Sequence, residues 1–128
     1  MKLLLDTHAL LWWWLNDPQL SAKARKHVAS GDNEIFTSAA SAWEIATKHR
    51  LGKLGLPDLT IQRYQSLLAS DGFFQLAITT DHALLAGSYA QSHADPFDRM
   101  LVAQAEIEGL SIISHDRALA QFGATLIW

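Results

Sequence analysis

Four acidic residues stand beside predicted strands and helices, at positions where their carboxylates could act together. They are Asp6, Glu44, Asp98 and Asp116. Two carboxylates about 4 Å apart repel each other by roughly 4 kcal/mol at an effective dielectric constant of about 20. If the fold brings four of them together, the group must either retain protons or bind a hard divalent cation such as Mg²⁺, which prefers oxygen ligands.

The two earlier acids also have ordinary structural explanations. Asp6 could cap a helix that begins at His8, a role worth about 1 kcal/mol. The segment Ser41-Ala42-Trp43-Glu44 fits the S-x-x-E capping box, in which Glu44 reaches back to the Ser41 amide. Glu44 also precedes Lys48 by four residues, a spacing that allows an ion pair within one helix. Local sequence therefore leaves both explanations open.

The two later acids have similar alternatives. Asp95 fits the N-cap of a helix whose first residue is Pro96, which places Asp98 in the first helical turn. Ser114 could cap the following helix, with Asp116 favouring its positive end. Only the convergence of all four carboxylates would distinguish a metal site from four separate helix starts.

Short apolar runs alternate with helical patterns along the chain. The predicted strands are Leu3–Leu5, Glu34–Thr37, Leu76–Ile78, Ser111–Ile113 and Thr125–Ile127. The predicted helices are His8–Leu15, Ser21–Ser30, Ser41–Leu51, Thr60–Ser70, Thr80–Gln91, Pro96–Glu108 and Asp116–Phe122. This alternation predicts an α/β three-layer sandwich, with a central parallel sheet of four or five strands flanked by helices. The strand-to-helix junctions of such a sheet open on one edge, which would make the four carboxylates neighbours.

Composition limits the class of protein. With 128 residues and 49% hydrophobic side chains, the sequence predicts a single domain over residues 1–128. It has no cysteine, which excludes disulfides and thiolate metal ligands, and a net charge of −3, which argues against a surface covered in basic residues. It shows neither a membrane-spanning run nor a signal peptide, so we expect a cytoplasmic protein without membrane contact.

Four segments resemble, in order, the successive motifs of PIN-domain proteins, and most closely those of VapC-type toxins of toxin–antitoxin pairs. They are Leu3-Leu4-Leu5-Asp6-Thr7-His8, Ser41-Ala42-Trp43-Glu44-Ile45, the stretch from His93 to Ala105 and Ile113-Ser114-His115-Asp116. The D-P-F-D-R block from Asp95 to Arg99 is the most specific of these motifs. The resemblance extends from the first predicted strand to the last.

This resemblance implies a metal-dependent endoribonuclease that hydrolyses RNA phosphodiester bonds with a metal-activated water. Its catalytic and metal-binding residues would be Asp6, Glu44, Asp98 and Asp116, holding Mg²⁺ or Mn²⁺, with Asp95 as an adjacent candidate. The resemblance also implies a cognate antitoxin as partner, and a homodimer. The alternative is a catalytically inactive PIN-like scaffold that binds RNA or protein, for which loss of an acid would be the signature; all four acids are present.

Two other classes that begin with a strand ending in Asp fit the sequence less well. A phosphotransferase of the haloacid-dehalogenase kind carries a second Asp two residues after its nucleophile, where this chain has His8. A phospho-receiver domain needs paired acids after its first strand and a lysine after a late strand. Asp6-Thr7 and Ser114-His115 supply neither.

Basic residues and histidines near the acids permit functional and ordinary interpretations. Phosphate contacts could come from Lys48, Arg50, Lys53, Arg99 and Arg117, although each also fits a solvated helix face. The six histidines show no H-x-H or H-x-x-x-H spacing, which argues against zinc. His8, His93 and His115 could tune the site, but the sequence favours exposed or core histidines.

Three consecutive tryptophans suggest an interface. A helix spreads Trp12, Trp13 and Trp14 over about 200° of its circumference, so we expect at least one to be exposed. An exposed indole there would suit an antitoxin or a second copy of the chain. Trp43, by contrast, is predicted to lie in the core.

Overall fold

Five parallel strands form one sheet at the centre of the structure, a computed structural model that describes residues 1–128. The strands are β1 (Lys2–Leu5), β2 (Glu34–Ser38), β3 (Phe74–Leu76), β4 (Ser111–Ile113) and β5 (Leu126–Ile127). Their order in the sheet is β3-β2-β1-β4-β5, and every neighbouring pair is parallel. The predicted α/β fold with a parallel sheet is therefore confirmed.

Helices connect the strands. They are α1 (Thr7–Trp14), α2 (Ala22–Ala29), α3 (Ala39–Arg50), α4 (Leu59–Gln62), α5 (Tyr64–Asp71), α6 (Thr80–Ser88) and α7 (Pro96–Glu108), followed by a 3₁₀ helix (Arg117–Phe122). None of them combines the length and the apolar character that crossing a bilayer would require.

Side-chain alternation along β1 divides the core between the two faces of the sheet. Leu3 and Leu5 join a cluster with residues of α1, α2, α3 and α5, whereas Leu4 joins a cluster with α7 on the other face. All three leucines are almost completely buried. The sheet is thus the middle layer of the predicted three.

The order of the strands creates a crevice beside β1. This strand is central, with Leu4 opposite Phe36 of β2 on one side and opposite Ile112 of β4 on the other. The chain fills the sheet outward from β1 to β3, then crosses to the far side of β1 to form β4 and β5. The direction therefore reverses between β1 and β4, where the loops after the two strands diverge and leave a crevice at the carboxyl edge.

Helix α3 begins two residues earlier than predicted. The Ser38 hydroxyl caps it by accepting a hydrogen bond from the Ala40 amide at 2.9 Å. Ser41 is buried inside the first turns, and its hydroxyl oxygen accepts a hydrogen bond from the Thr7 hydroxyl at 3.0 Å. The predicted capping box of Ser41 and Glu44 is wrong because β2 runs directly into α3 without a loop.

The third strand comprises residues 74–76, and not 76–78 as predicted. Phe74 pairs with Phe36 and Leu76 pairs with Ser38, the last residue of β2. Ala77 and Ile78 therefore have no strand partner. The predicted helix 60–70 is also divided, at Arg63, into α4 and α5, and α6 ends at Ser88 instead of Gln91 because the chain turns to extended backbone at Tyr89.

The three tryptophans of α1 form a partly covered stripe, the alternative to an exposed interface, whereas the prediction for Trp43 is wrong. None of the three in α1 is exposed, because aromatic side chains of other segments cover them: Trp12 by His115 and Trp128, Trp13 by Phe73, and Trp14 by Tyr64. Trp43 is not in the core but 61% exposed, and its ring packs edge-on against Phe97 with centroids 4.9 Å apart. Ser41, Glu44 and Ile45 occupy the inward face of α3, which leaves Trp43 outside.

Candidate metal centre

A cavity of about 500 Å³ opens at the crevice between the ends of β1 and β4. Five carboxylates line it: Asp6, Glu44, Asp95, Asp98 and Asp116. The structure therefore brings the four predicted acids to one cavity and adds Asp95. Lys48 and Arg117 are the cationic side chains in its wall, so the carboxylates are in excess.

Two hydrogen bonds to backbone groups hold Asp6 at the end of β1, one made by its amide and one by its carboxylate. Its amide donates a hydrogen bond to the Ile113 carbonyl at 3.1 Å, and its Oδ1 accepts one from the Ala9 amide at 2.7 Å. Asp6 is thus the N-cap of α1, and its side chain is only 7% exposed. Burial raises the pKa of the Asp6 carboxyl, although hydrogen bonds from Ser114 and Ala9 oppose the rise. Asp6 therefore caps α1, as the structural explanation predicts, and it also lines the acidic cavity, as the functional explanation predicts.

Glu44 projects from the second turn of α3 and is 4% exposed. Lys48, one turn later, forms an ion pair with its Oε2, as the spacing of four residues predicts. Lys48 also lines the cavity. A metal cation can replace Lys48, the one ion-pair partner of this buried carboxylate.

Asp98 occupies the first turn of α7, as predicted. The Asp95 side chain caps this helix by accepting hydrogen bonds from the Phe97 and Asp98 amides at 2.9 and 3.2 Å. Burial raises the pKa of the Asp98 carboxyl; the hydrogen bond with His93 opposes the rise, and the negative charges of Asp95 and Glu44 add to it. The acids of the cavity are therefore close enough to affect one another.

Asp116 follows β4 and is the N-cap of the 3₁₀ helix, where its Oδ1 accepts a hydrogen bond from the Ala118 amide at 3.0 Å. Ser114 does not cap that helix but accepts a hydrogen bond from the Asp116 amide at 3.0 Å. Potential ligand atoms of His93, Asp98 and Asp116 all lie within 4.8 Å of one another. The carboxylates of Asp98 and Asp116 are therefore close enough to approach the same cation.

The donor set of the cavity fits a hard divalent cation. Its five carboxylates offer oxygen atoms, the ligands that Mg²⁺ and Mn²⁺ prefer. The chain has no cysteine, and the cluster of three potential ligands contains one imidazole and two carboxylates. Such a cation would also offset the excess negative charge.

Two residues near the cavity, both named as candidates from the sequence, make contacts that the sequence did not indicate. His93 forms a hydrogen-bonded pair with Asp98, and Arg99 donates to four backbone carbonyls in and before the loop that carries His93. The predicted phosphate contact by Arg99 is wrong, as is its alternative of a solvated helix face. Their positions depend on the path of a loop, and no helical or strand spacing reveals that path.

The fold and the cavity define an α/β domain with an acidic centre at the reversal point of a parallel sheet. A family model described as "PIN domain" matches residues 3–124. The chain belongs to the PIN-domain family. No curated protein sequence matches it at a significant level.

Several solved structures share this fold, and one of them is described as a toxin–antitoxin complex. The Rickettsia felis VapBC2 complex, bound to a promoter DNA fragment, matches with a TM-score of 0.69 at 12% identity over 99% of this chain and 98% of that chain. Neisseria gonorrhoeae FitAcB matches with a TM-score of 0.68 at 20% identity, over 98% and 96%. A Klebsiella pneumoniae toxin–antitoxin complex matches with a TM-score of 0.59 at 16% identity, over 98% and 95%. At these identities the likeness is one of fold.

Proposed function

We propose that this protein is a metal-dependent endoribonuclease and the toxin of a toxin–antitoxin pair. The observation that carries the proposal is the convergence of five carboxylates on one cavity at the carboxyl edge of the sheet, in a chain of the PIN-domain family. A cavity used only for binding RNA would gain nothing from so many anionic groups, because the phosphates of RNA would be repelled.

Asp6 and Asp98 are the principal ligands in this proposal, because other groups fix both of their carboxylates. The Ala9 amide holds Asp6, and His93 holds Asp98. Glu44 and Asp116 complete the set. A divalent cation bound here supplies Lewis-acid polarisation of a phosphodiester and lowers the pKa of a water molecule.

The chain's own cations complete the environment of the substrate. Lys48 and Arg117 line the cavity and can each contact a phosphate oxygen. Lys48 pairs with Glu44 in this structure, and it would be free for such a contact if Glu44 held a metal cation instead. Attack by water with cleavage of the P–O3′ bond would leave a 5′-phosphate and a 3′-hydroxyl, and no 2′,3′-cyclic phosphate would form because the ribose 2′-hydroxyl takes no part.

The proposal is tested by incubating the purified protein with single-stranded RNA in Mg²⁺, in Mn²⁺ and in EDTA, with analysis of the product ends. We expect cleavage only with a divalent cation, and a loss of at least about 100-fold in Asp98→Asn. Asp81→Asn is the matched control, because Asp81 also lies in the first turn of a helix but is exposed and outside the cavity. Cleavage in EDTA, or 2′,3′-cyclic ends, would contradict the mechanism. RNA binding without cleavage would favour an inactive scaffold.

The structural neighbours are toxin–antitoxin complexes, and this supports a cognate antitoxin as the partner of this chain. We propose in addition that the chain forms a homodimer and acts in the cytoplasm. The product of the neighbouring reading frame should bind the purified protein and inhibit the cleavage above, and sedimentation of the free protein should give the mass of two chains.

A further inference from the structure

His93 approaches the metal centre from outside the cavity. It is not among the residues that line the cavity, whereas Asp98 is. The His93 Nε2 atom lies 2.9 Å from Asp98 Oδ2, and the side chains of both residues are mostly buried. An ionised carboxylate can only accept a hydrogen bond, so the imidazole Nε2 carries the proton and donates it to Asp98.

The imidazole of His93 is itself held in place. Arg99 donates a hydrogen bond to the His93 carbonyl at 2.9 Å, which fixes the backbone of the loop before α7. The His93 ring packs edge-on against Phe122, with centroids 5.9 Å apart and an interplanar angle of 84°. A donor fixed at both its backbone and its ring can determine the orientation of the carboxylate that it contacts.

His93 also lies beside a second acid of the cavity. Its ligand atom and those of Asp98 and Asp116 are all within 4.8 Å of one another. Two ionised carboxylates so close repel each other, and the hydrogen bond from His93 disperses part of the charge of Asp98. Asp116 comes from the loop after β4, so the cluster combines two separate segments of the site.

We propose that His93 is a positioning residue for the metal centre. By donating to Oδ2, it leaves Oδ1 of Asp98 directed to a divalent cation, and it allows Asp116 to approach the same cation. This inference rests on the metal-dependent function proposed above. It names His93 as a determinant of metal affinity and not as a ligand, because an Nε2 that carries a proton has no lone pair to offer a cation.

The test compares His93→Gln with His93→Asn. Both variants lose the ring and its packing on Phe122, and both carry a neutral amide, but only the longer glutamine can place an N–H near the position of Nε2. We expect His93→Asn to weaken Mn²⁺ binding by about 10- to 100-fold, the usual effect of removing a partner of a metal ligand. His93→Gln should stay within about threefold of the wild-type protein. His49→Asn is the control, because His49 pairs with Asp58 away from the cavity.

Mn²⁺ affinity is measured by calorimetry on EDTA-stripped protein, with circular dichroism to show that each variant is folded. Equal Mn²⁺ affinities in His93→Asn, His93→Gln and wild type would overturn the proposal, and so would a ¹⁴N hyperfine coupling in the Mn²⁺ resonance spectrum that disappears in both variants, since it would make His93 a ligand. The readout needs no RNA. If the wild-type protein binds Mn²⁺ but cleaves no RNA, the nuclease assignment fails while the positioning role stands; if it binds no Mn²⁺, both fail.

Discussion

Asp6 satisfies a structural and a chemical requirement with one carboxylate. Its Oδ1 caps α1 through the Ala9 amide, a contact that stabilises the helix start. Its burial raises its pKa, which means that the ionised form is destabilised in the metal-free protein. An uncharged side chain of the same shape would still cap α1, and it would avoid the free-energy cost of burying a charge.

We therefore expect Asp6→Asn to raise the melting temperature in EDTA and to abolish RNA cleavage. Asparagine is as good an N-cap as aspartate, and removal of a buried charge should stabilise the protein by about 1 kcal/mol, or about 3 °C in melting temperature. Thermal unfolding in EDTA and the Mg²⁺-dependent RNA cleavage assay measure the two effects. The exposed Asp81→Asn serves again as the control and should change neither. A variant that cuts RNA at the wild-type rate would remove Asp6 from the site.

Arg99 stabilises the connection between α6 and α7. Its guanidinium donates to the carbonyls of Ala86, Tyr89, Gln91 and His93, at 2.7 to 2.9 Å. This segment contains little regular structure, so its carbonyl groups depend on a side chain for their partners. One planar group with five N–H donors can satisfy all four, and it thereby fixes the loop that presents His93 to Asp98.

Arg99→Lys should destabilise the protein by about 2–4 kcal/mol, although the charge is kept. A lysine ammonium has three donors on a flexible chain and cannot reproduce the planar arrangement, so at least one buried carbonyl loses its partner. The midpoint of urea unfolding measures the effect. Arg63→Lys is the matched control, because Arg63 is exposed and its side chain makes no hydrogen bond. If Arg99→Lys unfolds at the same urea concentration as the wild-type protein, the four hydrogen bonds of Arg99 do not contribute to stability.

At the scale of the whole molecule, the sequence predicted the sheet well where strands are buried on both faces. The continuous apolar runs before Asp6 and Asp116 identified β1 and β4 to within a residue, and with them the edge on which the acids meet. The predicted position of β3 is two residues too late, because the apolar stretch continues to Ile78. Only the pairing with β2 decides where the strand ends. Pairing register is a property of two segments and cannot be read from one.

The prediction of the site likewise succeeded where one segment decides a feature and failed where the contact of two segments decides it. All four acids were predicted to be neighbours; parallel topology accounts for Asp6, Glu44 and Asp116, which follow strands, whereas Asp98 begins a helix that follows another helix. The cap of α3 was misassigned because Ser38 and Ser41 both satisfy the local rule, and the direct passage from β2 into α3 selects Ser38. His93 was named as a residue that could tune the site, but its contact with Asp98 was not predicted, because that contact depends on how Arg99 fixes a loop.

Stability of the whole molecule should depend jointly on pH and on a divalent cation. Burial raises the pKa values of Asp6 and Asp98 above the ordinary value of 3.8. From that value upward, the folded metal-free protein holds more protons than the unfolded chain, so these two groups lower its stability as the pH rises, until both have ionised. A cation needs the ionised carboxylates, so the stability it adds follows the opposite trend.

We therefore expect the difference in melting temperature between Mn²⁺ and EDTA to be near zero at about pH 4 and to reach several degrees at about pH 7.5. Thermal unfolding across this range measures it, with K⁺ at equal ionic strength as the control for screening of surface charges. Asp98→Asn should make the gain in melting temperature from Mn²⁺ depend less on pH, because it removes one of the two carboxyl groups whose pKa is raised by burial. A gain that is the same at both ends of the range would show that cation binding does not require ionisation of the Asp6 and Asp98 carboxyl groups.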